Sequence, residues 1–406
     1  MEGEILNIDS PIIFDESIAN YEVHAQQPYT SSTYNNSDEI RITVQNQDHC
    51  LLPSKSLLHV TGKVVKPDGT ALARTKLVSN GICHLFEEAK YELNGVEIDK
   101  NKNVGLTSLM KNYVSFDASQ SKFLENVGWM ELSDEAKLTN DDGYFDVCIP
   151  LNMIFGFAED YQKIIINAKH ELILIRSRTD SNAVLQEAPL EEFKIVIEKL
   201  EWLLPYIKLS DARKFKLLKY IERDPSIAIS FRTWELYEYP LLPVTPKHIW
   251  SVKTSSQLEK PRFIVLGFQR NRKSNTALNS SYFDHCKLSD VKLFLNSQCY
   301  PYGNMNLNID KNQYSTLYEM FTNFQASYYN KESQPILTKK EFLRYAPLVV
   351  IDCSKQNESL KSGPVDIRLE FESNENFPTN TSAYCLILHD RIVEYKPISG
   401  IVKKIV

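Results

Sequence analysis

The feature that most constrains this chain is an internal echo. Six landmarks in its first half recur in the same order about 200 residues later, as expected of two structurally alike units fused in tandem. The extended run around Leu58 is answered around Phe263, and the strand end Leu93-Asn94-Gly95 by Leu295-Asn296-Ser297. An amphipathic helix follows each strand end, near Leu106 and near Tyr314. Cys148 and Cys353 both sit inside apolar runs, and alternating strands near Leu172 and Ile367 precede closing strands near Phe193 and Tyr384. The identities barely match, so the echo concerns architecture and carries chemistry only indirectly. A length of 406 residues suits two domains, each large enough to bury a core.

Boundaries follow from local pattern. Residues 1 to 38 are polar and irregular, with Gln26-Gln27-Pro28 and the cluster Ser31 to Ser37, and are expected to form an N-terminal arm. Half-buried strands begin at Ile40, Ile42 and Val44, resume from Leu57 through Val65, and end at the turn Pro67-Asp68-Gly69. Further strands are expected at Ala89 to Leu93, Tyr144 to Leu151, Glu171 to Arg176 and Glu192 to Trp202. The first domain is placed at 39–208, a linker element at 209–224, the second domain at 225–398 and a tail at 399–406. In the second domain strands are expected at Ile227 to Leu236, Arg262 to Phe268, Val291 to Leu295 and Leu348 to Asp352. The cleanest alternation puts Val365, Ile367, Leu369 and Phe371 inward and Asp366, Arg368, Glu370 and Glu372 outward. Helices are expected over Gln313 to Tyr329 and Thr338 to Tyr345, the second opened by a Thr338–Glu341 capping box. The pattern predicts a mainly β protein: two tandem antiparallel jelly-roll sandwiches with a few short inserted helices.

Composition narrows the class of function. With 43% hydrophobic and 24% charged residues the chain reads as globular, and Tyr 21 and Phe 19 against Gly 13 favour β-structure. A net charge of −6 argues against a surface-wide nucleic-acid binder. No apolar run is long enough to span a bilayer, and the start Met1-Glu2-Gly3-Glu4-Ile5 has no signal-like pattern, so cytosolic synthesis and folding are expected. Seven cysteines without a CxxC pair do not suggest a disulfide framework, and the sequons at Asn35, Asn279, Asn357 and Asn380 are read as loop composition. Between the halves, Arg213, Lys214, Lys216, Lys219 and Arg223 alternate with Phe215, Leu217, Leu218 and Ile221. This is read as an amphipathic linker with a solvated cationic side, the alternative being a stripe for an acidic partner or genome.

The catalytic inventory is empty: no catalytic, cofactor-binding or metal-binding residues are assigned, and no cofactor is expected. A metal site of the kind jelly rolls carry needs close histidines, yet no two of the eight (24, 49, 59, 84, 170, 248, 285, 389) lie within five residues. His285 beside Cys286 is the nearest to a ligand pair, and strand alternation would send the two to opposite faces. No nucleophile elbow or phosphate-binding glycine loop occurs. Thr139-Asn140-Asp141-Asp142-Gly143 reads as a turn rather than a calcium loop, and Arg270, Arg272 and Lys273 as a solvated loop that could touch phosphate.

A resemblance enters at Leu348 to Gly363, the strand Asp366-Ile367-Arg368-Leu369-Glu370-Phe371, and Ala383 to Arg391. Tyr91 to Ile98, and Ser255 to Arg262 leading to Gly267-Phe268-Gln269, join them. These segments resemble the double jelly-roll proteins encoded by virus-like elements in insect and other animal genomes, a family similar to the major capsid proteins of adintoviruses, Polinton-type elements and larger DNA viruses. The resemblance spans roughly residues 35 to 398, and its motifs are structural. It implies a non-enzymatic chain whose two sandwiches stand side by side, three chains forming a homotrimeric pseudo-hexagonal capsomer that tiles an icosahedral shell around a DNA genome. Penton and minor capsid proteins would be partners and the virion its location. The acidic start, unlike a basic genome-binding arm, implies that packaged DNA is met only indirectly. The alternatives are a glycan- or receptor-binding sandwich using loops such as Tyr300-Pro301-Tyr302-Gly303, and, more remotely, a metal-dependent β-sandwich enzyme.

Overall fold

A computed structural model describes residues 17–29, 33–45, 49–130, 137–254, 260–355 and 365–405. The acidic start, the Asn357 sequon and the stretches 255–259 and 356–363 of the resemblance lie outside these residues.

Among the described residues, sixteen main strands build two sandwiches of the same topology. In the first, β1 (Ile18–Gln26), β2 (Glu39–Gln45), β3 (Leu57–Val65), β4 (Phe86–Leu93), β5 (Val96–Lys102), β6 (Tyr144–Pro150), β7 (Lys169–Arg176) and β8 (Lys194–Leu209) form two antiparallel sheets, β1-β8-β3-β6 and β2-β7-β4-β5. In the second, β9 (Ile227–Tyr239), β10 (Lys247–Thr254), β11 (Lys260–Arg270), β12 (Leu288–Leu295), β13 (Gln298–Tyr300), β14 (Val349–Asp352), β15 (Asp366–Ser373) and β16 (Thr381–Tyr395) form β9-β16-β11-β14 and β10-β15-β12-β13. Adding eight to each strand number of the first sandwich reproduces the second, which is the jelly-roll order twice over. The six sequence landmarks fall on equivalent elements or at their ends, from β3 with β11 to β8 with β16.

Period-two burial makes the strands. In β15, Ile367, Leu369 and Phe371 are buried while Asp366 and Arg368 are exposed, and β3 alternates in the same way, so one face of each packs inward. Both sandwiches contribute to one continuous hydrophobic core. Helices sit among the strands, the ones of five residues or more in the described residues being α1 (Val104–Ser115), α2 (Gly156–Asp160), α3 (Asp211–Ile221), α4 (Ser315–Tyr329) and α5 (Lys339–Tyr345). In α5 the Thr338 hydroxyl accepts from the Glu341 N–H and the Glu341 carboxylate accepts from the Thr338 N–H, the expected capping box. Tyr314, Leu317, Phe321 and Phe324 are all buried, so the aromatic stripe of α4 is core packing.

Two expectations need correction. Residues 18 to 26 lie within the segment read as an arm, yet form β1, paired with β8 from Ile18↔Leu209 to Gln26↔Trp202. Both faces of β1 are exposed for most of its length, which removes the alternation that announces a strand. At the other terminus, Val402–Lys404 of the tail pairs with β16.

Candidate functional site

A buried polar cluster lies where the two sandwiches meet. It begins with α1, an apolar helix carrying one cation, Lys111, whose side chain is only 1% exposed. All three ammonium protons find acceptors: Ser115 Oγ at 2.8 Å, Glu159 Oε1 at 2.9 Å and Tyr329 Oη at 3.0 Å. The rings of Tyr328 and Trp234 lie 4.6 and 4.7 Å from Nζ and add cation–π attraction. Burial lowers the Lys111 pKa, and the Glu159 carboxylate offsets only part of that fall.

Glu159 in turn accepts from the hydroxyls of Tyr328 at 2.8 Å and Tyr329 at 2.5 Å, both at the end of α4. Its neighbour Asp160 is held by Arg232 of β9, whose guanidinium also lies 3.5 Å over the Tyr328 ring and donates to the Tyr328 carbonyl at 2.8 Å. Burial works against the Arg232 charge, but the Asp160 hydrogen bonds and nearby negative groups outweigh it and raise its pKa. Lys111, Glu159 and Asp160 belong to the first sandwich; Arg232, Trp234, Tyr328 and Tyr329 belong to the second.

The backbone comes equally close. A Cβ at Gly156, the first residue of α2, would lie 1.7 Å from the Arg232 carbonyl oxygen, so only glycine allows this approach. Beside it, Asp99 of β5 accepts from Thr233 Oγ1 at 2.6 Å and from the Phe157 N–H at 2.9 Å. Burial raises the Asp99 pKa despite Arg391 and these hydrogen bonds. Further along, Tyr113 Oη donates to the Ser281 carbonyl at 3.0 Å and Gln325 Nε2 to the Phe116 carbonyl at 2.7 Å.

A cleft of about 610 Å³ opens beside this junction, bordered by Glu159, Asp160, Arg232, Tyr328 and Tyr329. Its carboxylates already answer two cations and two phenols, so the arrangement suits holding two domains in one orientation rather than moving protons. The signal for it in the sequence was Lys111 alone amid Leu109, Met110, Tyr113 and Val114; its partners lie 48 and 218 residues away.

The candidates weighed from sequence fall elsewhere. Among the described residues no three His, Cys, Asp or Glu side chains are grouped as for a metal ion. His285 and Cys286 lie in a turn before β12 rather than on a strand, and His285 Nδ1 accepts from the Lys287 N–H at 3.1 Å. Strand alternation therefore does not govern that pair. Asn140 to Gly143 form a closed turn, with Gly143 N–H donating to the Asn140 carbonyl at 3.0 Å. Arg272 is committed to Asp284 at 2.7 Å and Lys273 to Glu238 at 2.7 Å, which leaves that cluster largely neutralised. Tyr302 of the proposed glycan loop is 95% exposed. All seven cysteines stand outside disulfides. Among the described residues no helix is long and apolar enough to cross a membrane.

Comparison with known proteins places this architecture. The fold is similar to the PBCV-1 virus capsid (9% identity, 98% of this chain and 99% of that one, TM-score 0.61). It is also similar to the mavirus major capsid protein (10% identity, 98% and 92%, TM-score 0.58) and the Faustovirus major capsid protein (11%, 97% and 92%, TM-score 0.59). At such identities the likeness is one of fold. No curated protein is detectably similar in sequence. Residues 75–393, most of the chain, match the family described as the double jelly roll-like domain, and the chain belongs to that family.

Proposed function

We propose that this chain is a major capsid protein, of the adintovirus or Polinton-like type, from a DNA virus or an endogenous viral element with relatives in insect genomes. Three copies form a pseudo-hexagonal capsomer, and capsomers tile an icosahedral shell. The observation that carries the reading is the pair of topologically identical sandwiches clamped together by a buried ionic junction. Two like domains per chain give a trimer six similar edges while leaving each contact free to differ. The chain acts without catalysis, meets penton and minor proteins in the virion, and touches packaged DNA only indirectly. Assembly takes place in the host cytoplasm or nucleus. Negative-stain microscopy of the purified protein under assembly conditions tests this: closed shells support it, and dispersed single chains under every condition contradict it.

A further inference from the structure

A cleft of about 640 Å³ opens at one end of the second sandwich, lined by residues of that sandwich. Its wall comes from the end of β11, the turn before β12, α5 and the connection between β15 and β16. These parts are fastened to one another. The Phe283 N–H donates to the Tyr345 carbonyl at 2.8 Å, Ser373 Oγ to the Cys286 carbonyl at 2.7 Å and the Asn374 N–H to the Lys287 carbonyl at 3.0 Å. Within that frame Cys286 and Lys287 stand consecutively at φ 44° and 48°, a left-handed pair without glycine. Backbone of this kind persists only where its surroundings impose it, and it gathers at ligand-binding turns.

Charge gives the cleft its sign. Of its two carboxylates, Asp284 is committed to Arg272 at 2.7 Å and Glu375 to Lys287. That leaves Arg270, Lys340 and Arg344, all exposed, none of which forms an ion pair with a described residue. Only the backbone N–H of Arg270 reaches Asp284, so its guanidinium stays uncommitted where Arg272 and Lys273 do not. Lys340 and Arg344, four apart, share one face of α5 with Leu343. Half-buried Leu343 and Pro378 add apolar wall.

Guanidinium forks pair with tetrahedral oxyanions through two parallel hydrogen bonds. A lone sulfate or phosphate would fill little of this volume, which lies in the range of sites for larger organic ligands. Cations from two elements beside an apolar wall suit a compact body that carries several anionic groups and presents C–H faces. A sulfated sugar has both. A nucleotide would need a ring to stack on, and the aromatic side chain at the cleft, Phe283, is 1% exposed.

We propose that this cleft binds a short stretch of sulfated saccharide, its sulfates held by Arg270, Lys340 and Arg344 and its ring faces against Leu343 and Pro378. The site is independent of shell formation, since binding is read on the purified full chain. Isothermal titration calorimetry with a heparin tetrasaccharide tests it. Wild type is expected to bind, and R270A/K340A/R344A to bind about tenfold more weakly or worse with an unchanged melting temperature. The fully desulfated tetrasaccharide is expected not to bind, and K214A/K216A/K219A on α3, another cationic surface, to bind as wild type does. No binding by wild type, binding indifferent to R270A/K340A/R344A, or an equal loss in the α3 variant overturns the proposal. So does tighter binding of ATP than of the saccharide, which would assign the cleft to a phosphate ligand.

Discussion

Arg232 grips Asp160 at three points: its backbone N–H and Nε donate to Oδ2 at 2.7 and 2.8 Å, and Nη2 donates to Oδ1 at 2.5 Å. Because Arg232 lies on β9 and Asp160 ends α2, this one carboxylate ties the second sandwich to the first. Asp160→Asn keeps the size but leaves the part-buried guanidinium without its counter-charge. It should cost about 2–3 kcal/mol in equilibrium denaturation. A loss below the error of the measurement would show that the pair does not hold the junction.

The buried Lys111–Glu159 pair makes an asymmetric prediction. Glu159→Gln strands a buried ammonium and should cost about 3–5 kcal/mol, whereas Lys111→Met leaves Glu159 with two tyrosine donors and should cost clearly less. Equal losses in urea denaturation would contradict this.

Gly156→Ala tests the close approach directly. The added methyl meets the Arg232 carbonyl oxygen at 1.7 Å, and backbone on both sides must shift. The expected loss is about 3 kcal/mol or more, far beyond the few tenths typical of a surface glycine replacement, and thermal melting would report it.

Acid should destabilise the fold through two histidines. Burial lowers His84 to about 4 and His170 to about 3, while an unfolded histidine titrates near about 6.5. As pH falls the unfolded chain binds protons first. The stability these groups contribute is therefore full above about pH 6.5 and is lost down to those values, by roughly 3 kcal/mol for His84 and roughly 5 kcal/mol for His170. His170 Nδ1 and Tyr91 Oη share a hydrogen bond at 2.6 Å, a partnership a glutamine amide can keep without titrating. His170→Gln should therefore flatten the fall in unfolding free energy between pH 6 and pH 4 by about 1.4 kcal/mol per pH unit. An unchanged slope would refute the assignment.

The duplicated frame was legible because burial wrote it into the strands and because turns repeat their chemistry. Asn94 and Asn296, both at positive φ, make the same two bonds: each backbone N–H donates to the first residue of β7 or to that of β15, and each side-chain oxygen accepts that residue's N–H. β1 escaped notice because neither of its faces is covered. β5 escaped because its inward positions are polar, with Asp99 and Asn101 buried where a core strand would show aliphatics. The junction was illegible for a different reason: Lys111, Glu159, Arg232 and Tyr329 are brought together by the docking of two domains, and no local spacing records a contact of that range.

Sedimentation of the purified chain tests the central claim most directly. An assembling capsid subunit should sediment at three times the 46.8 kDa chain mass or above. A single species of one chain mass across all concentrations and salts would contradict the account.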